Sequence, residues 1–154
     1  MNSLSGWPPH VTVAVVVEQD GRYLMVEEKD EMVAGLVFNQ PAGHLEDGET
    51  LAEAAMRETL EETAWHIKVE AIVGIYQWRH PDTPDTFLRI TFAGSCLHHE
   101  PERTLDTGIE RALWLPADAI RQQADRLRSP MVMRSIDDYL AGASWPLSLL
   151  AQIE

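Results

Sequence analysis

The sequence predicts an α+β fold, a mixed β-sheet sandwiched between helices, and three observations predict it. Strand-like and helix-like segments follow one another without strict βαβ alternation. The 154 residues suit one domain spanning 1–154, large enough to bury a core without a disulfide or metal staple. Hydrophobic residues make up 45% and charged residues 24%, the balance of a globular chain and not of a disordered or fibrous one.

Taken in order, residues 11–17 (VTVAVVV) are dense in β-branched side chains and predict a buried strand. Asp20-Gly21 supplies hairpin turn chemistry, and 23–26 returns as the second strand. The polar stretch 29–35 reads as flexible, and 36–39 as a short strand that Pro41 ends. With two glycines and three acids, 42–49 is loop for part of its length. Thr50 and Glu53 form a T-x-x-E capping box and open a helix over 51–63. Residues 67–78 are extended, with a bend at Gly74, and 80–85 loop around Pro81 and Pro84. Residues 86–96 form a strand, 98–108 a loop, 112–115 a short strand and 116–126 a helix. Ser129 as N-cap before Pro130 opens the last helix, which ends near Ala141 with Gly142 as its stop.

The charge balance is unusual. Twelve Lys and Arg face 25 Asp and Glu, a net charge of −13. That field repels nucleic-acid backbone and anionic lipid, so neither is expected as a partner. It also repels phosphorylated small molecules, so a phosphate-handling role requires bound cations. The lone Cys96 cannot form an internal disulfide, which fits a reducing cytosol. Residues 1–9 carry no Lys or Arg and lack the basic start of a secretory signal. The apolar run 13–17 falls far short of the roughly 20 residues that span a bilayer. A cytoplasmic location without membrane attachment is the expectation.

The helix at 51–63 holds a conflict. At about 100° per residue, Leu51, Ala52, Ala55, Met56, Thr59 and Leu60 share the arc expected to bury. Glu53, Ala54, Arg57, Glu58, Glu61 and Glu62 share the other arc. Glu58, Glu61 and Glu62 stand at i, i+3 and i+4, where like charges cost a few tenths of a kcal/mol per pair, about 0.2–0.5. They also sit toward the helix end at which the macrodipole disfavours anions. Two readings stand: a solvated acidic face partly neutralised by Arg57 through Glu53 and Glu61, or a site for a hard divalent cation. Mg²⁺ takes carboxylate oxygens and keeps waters for substrate phosphates.

Residues 43–65 read GHLEDGETLAEAAMRETLEETAW. This segment resembles the Nudix box, G-x5-E-x7-R-E-U-x-E-E-x-G-U, where U is a bulky aliphatic residue. Gly43, Glu49, Arg57, Glu58, Glu61 and Glu62 stand at the matching positions. Three positions depart from it. Thr59 replaces the first bulky residue, Ala64 replaces the glycine where the helix ends, and Trp65 replaces an aliphatic residue. None removes a charge; where Ala64 needs positive φ, alanine costs on the order of 1 kcal/mol.

The resemblance implies a Nudix-type α/β/α sandwich with the box as loop–helix–loop, and hydrolysis of an organic diphosphate. It implies that Glu58, Glu61 and Glu62, with the carbonyl of Ala42, ligate Mg²⁺, or Mn²⁺ in its place. It implies a Glu49–Arg57 salt bridge that orients the loop. The general base varies in this family; Glu61 is favoured here, with Glu110, just before the strand that holds Trp114, as its competitor and a solvated loop acid as the plainer reading of Glu110. Bound cations screen the diphosphate charge and acidify a water, and a carboxylate takes the proton.

Short blocks elsewhere extend the similarity toward the NudJ phosphatase branch of the family: PHVTVA at 9–14, NQPAGHLE at 39–46, QW at 77–78, FLR at 87–89 and LRSP at 127–130. That branch implies thiamine diphosphate, its pyrimidine diphosphate precursor and nucleoside di- and triphosphates as substrates. Gln40 and His44 either donate to phosphate oxygens or cap the loop backbone. Arg89, inside an apolar strand, meets either substrate phosphate or one of the many acids. Arg128 either reaches phosphate or stays a surface arginine. Trp78 and Tyr76 share a strand face and either stack on a pyrimidine ring or pack in the core. Cys96, His98 and His99 are too compact for a standard zinc spacing and read as a polar strand end.

Two other function classes are weaker. A non-catalytic Nudix-fold domain that senses a metabolite is the alternative, but such domains usually lose box glutamates and this chain keeps them. An acidic Ca²⁺-binding scaffold lacks its D-x-D-x-D-G loop. Trp7 and Trp145 suit either a monomer or a homodimer interface.

Overall fold

The structure is a computed structural model and describes residues 7–154; residues 1–6 of the unbasic N-terminal stretch lie outside the described residues. The chain runs β1 (His10–Gln19), β2 (Arg22–Lys29), β3 (Leu36–Asn39), β4 (Ala42–His44), α1 (Leu51–Thr63), β5 (Trp65–Arg79), β6 (Thr86–His99), β7 (Ile109–Pro116), α2 (Ala117–Gln122) and α3 (Pro130–Leu140). Asp20 and Gly21 both adopt positive φ, 54° and 77°, which makes the tight two-residue turn between β1 and β2.

Past that turn β1 and β2 diverge. β1 pairs β4 antiparallel and β6 parallel, His10 opposite Phe87 through Val17 opposite Gly94. β2 pairs β3 and β7, both antiparallel. β5 lies outside β6. Residues 39–42 cross the split between the two halves of this mixed sheet, and the site forms at that split.

The unbroken apolar run of β1 is explained by burial on both faces. Val13, Val15, Val17, Leu24 and Phe92 pack with Ala54 and Ala55 of α1 on one side. Val16, Met25, Phe38 and Val73 pack with Ile120 of α2 and Val132 and Ile136 of α3 on the other. Each large side chain buried this way stabilises the fold by about 1.5–3 kcal/mol. The helix–sheet–helix layering is the expected α+β arrangement.

Several boundaries differ from expectation. α1 buries Ala54, Ala55, Thr59, Glu62 and Thr63 and leaves Met56 37% exposed. The small residues let the helix lie close to the sheet, which turns Glu62 inward. β6 continues through His99, so the loop before β7 is shorter. β7 begins at Ile109, and Glu110 is therefore in the strand, at a bulge where Glu27 faces Arg111 and Glu28 faces Ile109. The helix expected over 116–126 is α2 followed by a separate 3-10 turn, Ala124–Arg126. β5 starts earlier, at Trp65, and shifts register at three places, one of them beside Gly74.

Two caps behave as expected. Thr50 Oγ accepts from Glu53 N at 3.0 Å while Thr50 N donates to Glu53 Oε1 at 2.8 Å. Ala64 closes α1 at φ 63°, its N–H bonded to Leu60 O at 2.9 Å. Trp7 and Trp145 are 59% and 56% exposed. Among the described residues no helix is long and apolar enough to cross a membrane.

Candidate active site

The loop before α1 is bolted to the helix by one arginine. Arg57 Nε and Nη2 donate to the two oxygens of Glu49 at 2.9 and 2.8 Å, a bidentate pair. Nη2 also donates to His44 O at 3.0 Å, and Glu49 Oε1 accepts from Glu46 N at 2.8 Å. Arg57 Nη1 reaches Glu58 Oε1 at 2.8 Å and Glu61 Oε1 at 3.4 Å. Glu53, expected to share Arg57, is occupied by the capping box instead.

The carboxylates crowd against β4. A Cβ at Gly43 would lie 2.1 Å from Glu58 Cδ, so only glycine leaves room for that side chain. Glu62 is buried and accepts from Ala42 N at 2.9 Å. Burial, then the negative charges of Glu28, Glu58 and Asp106, push its carboxyl well above the usual range. Burial likewise raises Glu58, against the pull of Arg57, with Glu61 and Asp106 adding to the rise. Among the described residues no three acidic, histidine or cysteine groups are posed as a finished ligand set. Arg57 holds Glu58 and Glu61, and the Ala42 amide holds Glu62. The donor chemistry nonetheless suits a hard divalent cation: the three helix acids offer carboxylate oxygens alone, two of them desolvated and crowded by like charge.

Beside the cluster opens a cavity of about 480 Å³. Ala42, Gly43, His44 and Glu62 edge it on the cluster side. Arg89 and Thr12 lie within it, and Trp78, Phe87 and His80 form an aromatic wall, Trp78 stacked on Phe87 at 5.8 Å. Arg128 lines it too, paired with Glu28 Oε1 at 2.6 Å and near Asp30.

Ten of the predicted residues are thus brought together: Ala42, Glu49, Arg57, Glu58, Glu61 and Glu62 around the helix, and His44, Trp78, Arg89 and Arg128 around the cavity. Two are not. Gln40 is 1% exposed; its Nε2 donates to Ser135 Oγ at 2.8 Å and its Oε1 accepts from Arg89 at 2.9 Å, so it neither faces the cavity nor caps the loop. Glu110 is exposed on β7 and does not line the cavity. Arg89 also departs from the acid pair offered for it, because both its side-chain bonds go to amide oxygens. Tyr76 is turned away from any ring-stacking role, its hydroxyl donating to Asp138 at 2.7 Å.

His44 is held in a chain that the sequence did not suggest. His10 Nε2 lies 3.0 Å from Asp85 Oδ1, and His10 Nδ1 lies 3.1 Å from His44 Nε2. An ionised Asp85 only accepts, so His10 donates to it through Nε2–H, and His10 Nδ1 shares a second hydrogen bond with His44 Nε2. Burial, with the nearby His10 and Arg128, lowers the His44 pKa and keeps its ring neutral. His44 Nε2 is therefore engaged by His10 at the cavity edge. Glu28 and Asp106 were also missed; the only sequence signal was the acidic pair Glu27-Glu28 at the end of an apolar strand.

Residues 8–134 match the NUDIX domain family. The chain is 44% identical over 143 residues to phosphatase NudJ of Escherichia coli strain K12, covering 92% of this chain and 90% of that one, and equally to phosphatase NudJ of Shigella flexneri. Among solved structures it is similar to a NUDIX hydrolase from Nitrosomonas europaea, with 46% identity, a TM-score of 0.92, and coverage of 95% of this chain and 98% of that one. With the box residues gathered on one loop and helix beside a cavity, and these relatives matched along nearly their whole length, the chain belongs to the Nudix hydrolase family.

Proposed function

We propose that the chain is a Mg²⁺-dependent hydrolase of phosphoanhydride bonds in organic di- and triphosphates, with Mn²⁺ as a substitute metal. The substrates proposed for it, on the resemblance of its short sequence blocks to the NudJ branch, are thiamine diphosphate, its pyrimidine diphosphate precursor and nucleoside di- and triphosphates. The observation that carries this reading is the crowding of Glu58 and Glu62 into a desolvated acidic cluster whose Glu62 lines the cavity. Glu58, Glu61 and Glu62, with the Ala42 carbonyl, would hold the metal.

When bound, the cation neutralises phosphate charge and makes a water more acidic. The chain's own groups do the rest. Glu58 is engaged by Arg57 and Glu62 by the Ala42 amide, while Glu61 has only the 3.4 Å contact to Arg57. This lighter engagement supports Glu61 as the carboxylate that takes the proton of the attacking water. The water oxygen bonds to phosphorus, the anhydride P–O bond breaks, and the bridging oxygen leaves with the departing phosphate. Glu110, exposed at its bulge, is the lesser candidate for the base. Trp78 offers a face for the organic ring and Arg128 a cation at the cavity mouth. The acidic chain and lone Cys96 support a cytoplasmic location.

A phosphate-release screen over such metabolites, with Mg²⁺ or EDTA and with or without added pyrophosphatase, tests the reading. Turnover that EDTA abolishes supports it, and the pyrophosphatase arm separates orthophosphate from pyrophosphate release. Full turnover in excess EDTA refutes it.

A further inference from the structure

Arg89 is the most unusual charge in the molecule. It lies mid-strand in β6 between Thr12 of β1 and Tyr76 of β5, and it is 4% exposed. A buried arginine normally faces a carboxylate, because a charge taken out of water without a counter-charge is strongly destabilising. Here both side-chain hydrogen bonds leave from Nη2 and end on neutral amides, Asn39 Oδ1 at 3.1 Å and Gln40 Oε1 at 2.9 Å. The Nε–H has no partner among the described residues. Glu28, the acid nearest in influence, has its Oε1 engaged by Asn39 Nδ2 at 3.3 Å and by Arg128.

The amides are themselves fixed. Gln40 is held by Ser135 of α3, whose hydroxyl donates to Val132 O at 3.0 Å. Asn39 Oδ1 also accepts from Gln40 N at 2.9 Å. An amide oxygen fixes a guanidinium in place as a carboxylate would, but cancels none of its charge. Burial draws the Arg89 pKa down to about 10, which leaves it cationic at neutral pH. A fixed, desolvated guanidinium among the residues that line a cavity is an oxyanion receptor by its chemistry.

Building on the hydrolase reading, we propose that Arg89 binds a phosphoryl oxyanion of the substrate within the cavity, and that Gln40, with Asn39, is a positioning residue that holds Arg89 while leaving its charge uncancelled. The choice of glutamine over glutamate at position 40 then sets anion affinity.

Pyrophosphate binding measured by calorimetry in EDTA tests this without metal or turnover, so its outcome is separate from that of the metal-cluster reading. Wild type is expected to bind. Arg89→Gln is expected to weaken binding at least tenfold. Gln40→Glu, which gives Arg89 a carboxylate partner, is expected to weaken it as much while leaving the thermal midpoint equal or higher. A merely structural Gln40 would show no such split. Absent wild-type binding in EDTA overturns the proposal, as does wild-type affinity in a folded Arg89→Gln or Gln40→Glu variant. Should Arg89→Gln fail to fold, Gln40→Glu alone decides.

Discussion

Gly43 and Glu58 compete for one volume: a methyl on residue 43 would stand 2.1 Å from the carboxyl carbon of Glu58. The glycine is there because β4 and α1 approach closely, with no positive φ required of it. Gly43→Ala should displace Glu58 and lower kcat by about 100-fold, the order expected when a reacting group moves by an ångström. Steady-state kinetics with circular dichroism checks it; wild-type kcat in a folded variant contradicts it.

Glu49 and Arg57 tie the loop to the helix through two hydrogen bonds of 2.8–2.9 Å. Glu49→Gln keeps the shape and loses the charge. It should weaken apparent Mg²⁺ affinity by about 10–100-fold, as for groups that orient metal ligands. A Mg²⁺ titration of activity reads this directly, and an unchanged midpoint counts against the orienting role.

Trp78 stacks on Phe87 and presents the cavity with an aromatic wall. Stacking of a base on an aromatic side chain is worth about 1–3 kcal/mol. Trp78→Ala should therefore raise KM for nucleoside triphosphates by roughly 5–100-fold. Binding of pyrophosphate, which has no ring, should be unchanged. Equal effects on both ligands would assign Trp78 to packing alone.

Glu27 is buried, which by itself raises its pKa, but hydrogen bonds from Arg111 and Arg126 outweigh this and hold the carboxyl below its ordinary value. Its contribution to stability is complete above the unfolded pKa of about 4.3 and is lost as pH falls through the lower folded value. Glu27→Gln should cost about 1–3 kcal/mol at pH 7. The gap to wild type should narrow as pH falls below the unfolded value of about 4.3. Urea unfolding at pH 7 and pH 3 measures it, and a gap that is no smaller at pH 3 refutes the ion-pair origin.

The parts of the site carried by local spacing were legible in the sequence. Thr50 and Glu53 lie three residues apart, and Glu58, Glu61 and Glu62 within one turn of α1, so helix geometry alone predicts their neighbourhood. Packing decided the rest. The buried arc of α1 differs from the one its apolar spacing predicts because Ala54 and Glu62 turn inward where β4 supplies an amide for Glu62. For Gln40 the sequence offers phosphate contact or loop capping and neither of its observed partners, because nothing in one dimension places it beside Ser135, 95 residues away, or Arg89. Asp85 and His10 are 75 residues apart and meet only because β1 and β6 run parallel in register. Glu110 reads as a loop acid in the sequence because the bulge in β7 breaks the alternation by which a strand is read.

The central claim is that Glu58, Glu61 and Glu62 hold a divalent cation, and Mn²⁺ binding followed by electron paramagnetic resonance tests it most directly. Wild type should remove free Mn²⁺ signal in a saturable titration, with Mg²⁺ competing. A folded Glu58→Gln/Glu62→Gln double variant should leave the free signal as in buffer and lose turnover together with binding. Wild-type Mn²⁺ uptake and turnover in that double variant would contradict the account.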